Sequence, residues 1–283
     1  MSYLYDLHTH SHCSDGQLSP TELVALAKLN KVDVLALTDH DTIVGVQEAK
    51  MAAGDDLHII SGIELSSVWN GRNIHVVGLN IDIESEALIA ALEEQAQARL
   101  DRAKMIAQRL EKAGIQGVWE GVQHYAKDGN IGRPHFAQYL VDADYVDSFA
   151  QAFKRYLGAG KIGDVKQQWP ELDKVIAWIN AAGGVAVLAH PDKYDMTRTK
   201  LYSLLQDFVD AGGRGIEIVS GRQEPGVTSK LIRAALDFSL LISCGSDFHS
   251  SEGGWQLPGK MSDIPCGYKA VWDEWDLFRA ASA

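Results

Sequence analysis

The feature that most restricts what this chain can fold into is a recurrence: short, nearly continuous apolar runs, each followed at once by histidine or a carboxylate. Tyr3-Leu4-Tyr5 leads to His8-Thr9-His10, Val32 to Leu37 to Asp39-His40-Asp41, and Leu57 to Ile60 to Gly62-Ile63-Glu64. Gly184 to Ala189 leads to His190-Pro191, and Leu240 to Cys244 to Asp247-Phe248-His249. Runs of this kind are strands covered on both faces, as in a parallel sheet. Helical patterns separate them. Ser19-Pro20-Thr21-Glu22 reads as a capping box with proline at the first helical position, opening a helix through Lys28. Further helices are predicted over about 42–53, 85–113, 171–182, 197–211 and 226–238, and another strand over Gly215 to Val219. Strands alternating with helices predict an α/β barrel whose loops converge on one rim.

That rim is where the ionisable residues collect. On an extended strand His8 and His10 point the same way, about 7 Å apart along the backbone, and can close on one cation. Asp15 follows on a Gly-containing turn. In the alternating stretch Asn73 to Leu79, His75 shares a face with Val77 and Leu79. A buried imidazole there needs a partner, because an unpaired buried polar group costs about 1–3 kcal/mol. Independent structural reasons for His8, His10, Asp15, His40, Glu64, His75, His190, Asp247 and His249 would have to coincide. A multi-metal site explains them together.

The whole chain sets the bounds. It has 283 residues and three cysteines, Cys13, Cys244 and Cys266, with no CxxC pair, which fits a reducing compartment. No apolar run is long enough for a membrane span and no secretory signal is evident, so the expectation is a cytoplasmic protein without a membrane partner. The formal net charge is −12, yet residues 99–168 carry a small excess of Lys and Arg. No strand is predicted between the long helix and Val185, only short helices near 118–127, 135–141 and 148–157. This divides the chain into barrel residues 1–98, a helical insertion 99–168 and barrel residues 169–283. The tail from Gly267, with Trp272 and Trp275, is expected to add a closing strand and helix.

The ordered motifs resemble the PHP (polymerase and histidinol phosphatase) superfamily: His8 to Gly16 as HxHxxxSDG, Thr38 to Asp41 as TDHD, Gly62 to Glu64 as GxE, His75, Ala189 to Pro191 as AHP, and Ser246 to His249 as SDxH. The resemblance implies a distorted (β/α)7 TIM-like barrel and three divalent ions. One would be held by His8, His10, Glu64 and Asp247, a second by Asp15, His40 and His249, and a third by Glu64, His75 and His190. Mixed imidazole and carboxylate donors suit Mn²⁺, Fe²⁺ or Zn²⁺ better than Ca²⁺ or Mg²⁺, with Mn²⁺ expected first.

Such a site implies phosphate ester hydrolysis by a metal-bridging hydroxide, with Asp15, Glu64, Asp247 and His249 as catalytic residues. Arg133 and Lys161 lie on Gly-rich turns where they could grip a second phosphate. The helical insertion and its Arg133-Pro134-His135-Phe136 segment look like those of the 3′,5′-nucleoside bisphosphate phosphatases, a subfamily that includes 5′→3′ exoribonucleases acting on short RNA. On that resemblance Arg133, His135 and Lys161 bind the phosphate that is not hydrolysed, with Arg222 a further candidate. Tyr125, Phe136, Tyr139 or Trp255 would stack on the base, and Asp39, Asp41 and Asp192 would orient ligand imidazoles. The implied partner is a nucleotide or short RNA, with no obligate protein partner. The alternatives are a small-metabolite phosphatase of the histidinol phosphatase kind, and a non-catalytic PHP module that binds nucleic acid or a protein.

Overall fold

The computed structural model describes residues 3–126, 131–165, 169–251 and 256–275. Seven strands follow one another around the sheet in chain order: β1 (Tyr5–Thr9), β2 (Val34–Leu37), β3 (His58–Trp69), β4 (Arg72–Leu79), β5 (Val185–Leu188), β6 (Gly215–Ser220) and β7 (Leu241–Gly245). The ring closes where Asp247 N donates to His8 O at 2.8 Å and His10 N to Phe248 O at 2.9 Å. Asp6 locks the seam from below. Its buried carboxylate accepts the N–H groups of Ser246 and Gly259, each at 2.8 Å. The closure also needs a glycine, since a Cβ on Gly245 would lie 2.2 Å from the His8 Cβ.

Helix α1 (Pro20–Leu29) starts as its capping box dictates, with Ser19 N donating to Glu22 Oε2 at 2.8 Å. Helix α2 (Val46–Ala53) begins four residues later than expected. The intervening chain is held as a loop by Asp41 N donating to Glu64 O at 2.9 Å, with Asp41 at φ +55°. Helices α7 (Leu172–Ala181), α8 (Arg198–Asp210) and α9 (Pro225–Asp237) cover the sheet from outside, in one apolar cluster with Ile63, Ile74, Leu188, Ile216 and Ile242. A separate cluster unites Leu7, Val34, Ile60, Val77, Val187 and Leu241, residues of six strands that can meet only inside the barrel.

The strand pattern departs from uniform parallel pairing. β3 runs well past its apolar start, turns at Asn70-Gly71, both at positive φ, and returns as β4, which is antiparallel to β3 and to β5. Asn-Gly is a strong signal for a two-residue hairpin turn, and it explains why Glu64 lies inside a hairpin, opposite the strand that carries His75, rather than beyond a strand end.

Helix α3 (Glu86–Lys112) leaves the barrel and reaches α4 (Val118–Tyr125), α5 (Arg133–Asp142), α6 (Phe149–Ala152) and a π-helical turn, Phe153–Leu157. From Ala103 to Val165 these pieces have an apolar cluster of their own, centred on Ile106, Leu110, Phe136 and Leu140. The tail differs from expectation. Up to residue 275 it forms a single bridge from Ala270 to Ile242 and one 3-10 turn, Val271–Glu274, and no strand. Val271 is buried in the barrel cluster and Trp272 stacks on Tyr5 at the start of β1, ring centroids 4.4 Å apart, so the tail plugs the end opposite the ligand rim. Among the described residues no helix is long and apolar enough to cross a membrane.

Candidate metal centre

The nine candidate ligands converge. Glu64, fully buried in the middle of β3, has Oε1 2.9 Å from both His75 Nδ1 and His190 Nε2. Its Oε2 lies 3.2 Å from His8 Nε2 and from His10 Nε2, and 3.1 Å from His40 Nδ1. One carboxylate therefore faces five imidazoles. Asp247 Oδ1 closes on the first two rings, 3.5 Å from His8 Nε2 and 3.3 Å from His10 Nε2. Asp15 completes the far side, with His249 Nε2 at 3.3 Å and His40 Nε2 at 3.8 Å.

Four overlapping groups of donors lie close enough to hold an ion: His10, Asp15, His40 and His249; His8, His10 and Asp247; His8, Glu64 and His190; His40, Glu64 and His75. These sets share His8, His10 and His40 as well as Glu64, where the expected partition shared Glu64 alone.

The chemistry of the donors fits divalent cations. His8 Nε2, both ring nitrogens of His10 and Glu64 Oε2 are buried without a hydrogen-bond partner. Left so, each would cost about 1–3 kcal/mol, a penalty that a shared cation removes. Burial opposes ionisation of Asp15, Glu64 and Asp247, but the surrounding imidazoles outweigh it and hold all three carboxyls well below their usual range. Burial likewise opposes charge on His10, yet the Asp247 and Glu64 carboxylates beside its Nε2 raise it to about 10, while burial takes His40 down to about 3. Three positive φ values mark the same place: Asp41, His190 and Asp247 at +55°, +29° and +54°. Strained backbone of this kind persists where surrounding contacts over-determine it.

The orienting groups differ from those expected. Glu217 of β6, buried in an apolar strand, binds His8 Nδ1 at 2.8 Å and accepts the His190 N–H at 2.6 Å. A carboxylate on Nδ1 fixes the proton there, so the Nε2 lone pair of His8 faces Glu64 and Asp247. His249 Nδ1 is turned in the same way toward Asp247 O, at 3.0 Å. Asp39 has no hydrogen bond or ion pair to an imidazole among the described residues; it accepts from Ser11 N, Ser11 Oγ and Ser14 Oγ at 2.6–2.7 Å and shapes the turn that presents Asp15. Asp41 ties β3 to α3, accepting Ser66 N and Gln95 Nε2 at 2.7 Å and pairing with Arg99. Asp192 is exposed. Lys193, in the 3-10 turn after His190, pairs with Asp247. Glu217 was legible as a lone charge within Gly215-Ile216-Glu217-Ile218-Val219; Arg99 and Arg102 were not, because on α3 they read as ordinary surface charges.

Two cavities adjoin the centre. The smaller, about 140 Å³, is lined by Asp15, His40 and His75 on one side and by Arg99, Arg102 and Arg133 on the other. Arg99 and Arg102 both lie over the Trp169 ring, at 5.0 and 5.3 Å from its centroid. Arg102 has no carboxylate partner among the described residues, and burial, then Arg133 and Arg99, take it down to about 9. The larger cavity, about 880 Å³, runs from Asp15 and His249 past His135 and Gln138 to Tyr125 and Phe149. His135 Nδ1 accepts the Gly132 N–H at 2.9 Å and so caps α5.

The remaining candidates fall elsewhere. Lys161 is exposed on the loop after the π-helical turn, and Arg222 lines a separate groove with Gln223 and Ser262. Phe136 is fully buried, and the Tyr139 ring packs on Gly121, so neither is free to stack on a base. Trp255 lies outside the described residues.

A barrel carrying a cluster of imidazoles and carboxylates on its rim defines a metal-dependent hydrolase. The family model of the PHP domain matches residues 6–188, and the chain belongs to the PHP domain family. It is 45% identical over 275 residues to the 5′-3′ exoribonuclease of Haemophilus influenzae, covering 97% of this chain and 100% of that one. To the 3′,5′-nucleoside bisphosphate phosphatase of Chromobacterium violaceum it is 41% identical over 271 residues, 95% of each chain. A solved structure of an amidohydrolase from Chromobacterium violaceum, with bound sulfate and no metal, matches at TM-score 0.89 and 40% identity, covering 96% of this chain and 95% of that one.

Proposed function

We propose that this chain is a phosphoesterase that removes the 3′-phosphate of nucleoside 3′,5′-bisphosphates, and that the same site trims short RNA from its 5′ end. The observation that carries the reading is the 140 Å³ pocket: three arginines, one of them paired with Asp41, open directly on the ligand cluster. A pocket of that size and charge suits a single phosphate group. A substrate with a second phosphate a ribose away from the reacting one satisfies both sites.

Three divalent ions, Mn²⁺ before Fe²⁺ or Zn²⁺, would be held by His8, His10, Asp15, His40, Glu64, His75, His190, Asp247 and His249, and would supply activation of water and neutralisation of the reacting phosphate. Arg99, Arg102 and Arg133 would take the 5′-phosphate and fix the register. Water adds to phosphorus, the P–O3′ bond breaks, and the 3′-oxygen leaves with a proton. Asp15 and His249 face the larger cavity, which suits the base: His135, Gln138, Tyr125 and Phe149 offer it polar edges and aromatic faces without further charge. Residues 99–168 then act as the substrate-binding unit between barrel segments 1–98 and 169–283.

The exoribonuclease reading uses the same register. With a 5′-phosphate in the arginine pocket, cleavage of P–O3′ releases a nucleoside 5′-monophosphate and leaves the next residue with a 5′-phosphate of its own. The names of the relatives support both readings. The test is phosphate release from adenosine 3′,5′-bisphosphate with Mn²⁺, against a chelated control. Chelator-sensitive turnover is expected; none, or a preference for histidinol phosphate, rejects the proposal.

A further inference from the structure

A third cavity borders the small arginine pocket, sharing Asn73 and Arg133 with it. It is a groove of about 610 Å³, bounded by Lys193 and Tyr194 of the turn after β5, Arg72 and Asn73 of the β3–β4 hairpin, and Arg133 and Asp164 of the helical segment. Arg133 also lines the small pocket, and Lys193 reaches Asp247, so the groove is continuous with the reacting site. Its charge is the opposite of the chain's. Three cations face one carboxylate in a protein of net charge −12, and that carboxylate already accepts the Gly160 N–H at 2.7 Å through Asp164 Oδ2.

Arg72 is the informative member. It lies three residues before His75 on β4, about 10 Å further out at 3.4 Å per residue, and is exposed. It forms no ion pair among the described residues. Both phosphates of a nucleoside bisphosphate are accounted for by the ligand cluster and the arginine pocket, so that substrate leaves Arg72 nothing to hold. An oligoribonucleotide carries further phosphodiesters beyond the scissile one.

We infer that this groove binds the ribose–phosphate backbone 3′ of the scissile bond, with Lys193 and Arg72 as successive phosphate contacts. The inference rests on the phosphoesterase reading above. It divides the rim by chemistry: the nearly neutral aromatic cavity receives the terminal base, and the cationic groove receives the polyanion. The groove then separates an oligonucleotide from a mononucleotide, because only the former reaches Arg72.

The test compares the wild type with Arg72→Ala, in the full chain loaded with Mn²⁺. Affinity is measured by fluorescence anisotropy for a 5′-phosphorylated tetraribonucleotide with phosphorothioate linkages, between 50 and 200 mM salt, and turnover on adenosine 3′,5′-bisphosphate is measured alongside. The expected result is an affinity about three- to tenfold lower, a slope of log K against log salt shallower by about 0.7 for the one lost phosphate contact, and bisphosphate turnover within about twofold of the wild type. Unchanged affinity and slope, or an equal loss on both substrates, overturns the groove. A wild type that binds the tetranucleotide with the steeper slope but does not hydrolyse adenosine 3′,5′-bisphosphate keeps the groove and rejects the phosphoesterase reading.

Discussion

His8 shows how much one side chain depends on another that the motif does not contain. Its Nε2 is aimed at Glu64 and Asp247 because Glu217 holds the opposite nitrogen. Glu217→Gln is therefore expected to leave the fold intact while lowering metal affinity about 10- to 100-fold, read by titration of the metal-free protein with Mn²⁺. An affinity equal to the wild type would remove the orienting role. Arg133→Ala should act differently. Losing a charge-assisted hydrogen bond costs about 1.5–3 kcal/mol, roughly 10- to 150-fold in kcat/KM on a nucleoside bisphosphate, with a much smaller loss on p-nitrophenyl phosphate, which has no second phosphate. Equal losses on the two would detach Arg133 from the second phosphate. The nine ligands were legible one by one because each ends, or faces inward from, a recognisable strand. The arginine pocket was legible only at Arg133: Arg99 and Arg102 point inward because Asp41 and Trp169 meet them there, and neither partner is near them in sequence.

At the scale of elements, the seam between β1 and β7 is the part on which the site most depends, because His8 and Asp247 sit on either side of it. Gly245 has no room for a methyl group, with the His8 Cβ and backbone N at 2.2 and 2.7 Å from the position it would take. Gly245→Ala must part the strands. Overpacking of this kind costs about 1–3 kcal/mol, and a fall in Tm of several degrees with a larger fractional loss of turnover is expected. Thermal melting and phosphate release measure the two, and a variant as stable and as active as the wild type would show the seam to be compliant. The hairpin of β3 and β4 carries the complementary lesson. Asn70-Gly71 marks the turn, yet the alternating stretch Asn73 to Leu79 left the direction of β4 open, because alternation along a strand says nothing about the direction of its neighbour.

For the whole molecule the ligand cluster is a cost to folding unless it is filled. Six imidazoles and three carboxylates from β1, β3, β4 and the loops after β1, β2, β5 and β7 are gathered with several buried atoms unpaired. Ions that bind the folded chain and not the unfolded one stabilise it by mass action, about 2.7 kcal/mol at a free concentration 100 times Kd. Prolonged chelation should lower Tm by several degrees and abolish turnover, with both restored by Mn²⁺. A melting point indifferent to chelator and metal would show that the cluster binds no ion. The plug formed by Val271 and Trp272 lies at the other end of the barrel. Trp272→Ala should accordingly lower Tm while leaving KM for the bisphosphate unchanged.

Order along the chain determined the alternation of strands and helices, the rim on which the chemistry gathers and the identity of the ligands, because each of these is written in local periodicity and in the residue that ends a run. Only the tertiary structure decided the reversed strand β4, the Glu217 contact that aims His8, the fate of the tail and the convergence of Arg99, Arg102 and Arg133 on one small pocket. Those features arise from contacts between segments far apart in the chain. Such contacts are set by how surfaces pack and which buried charges must be matched, and no short window of sequence contains both sides of the match.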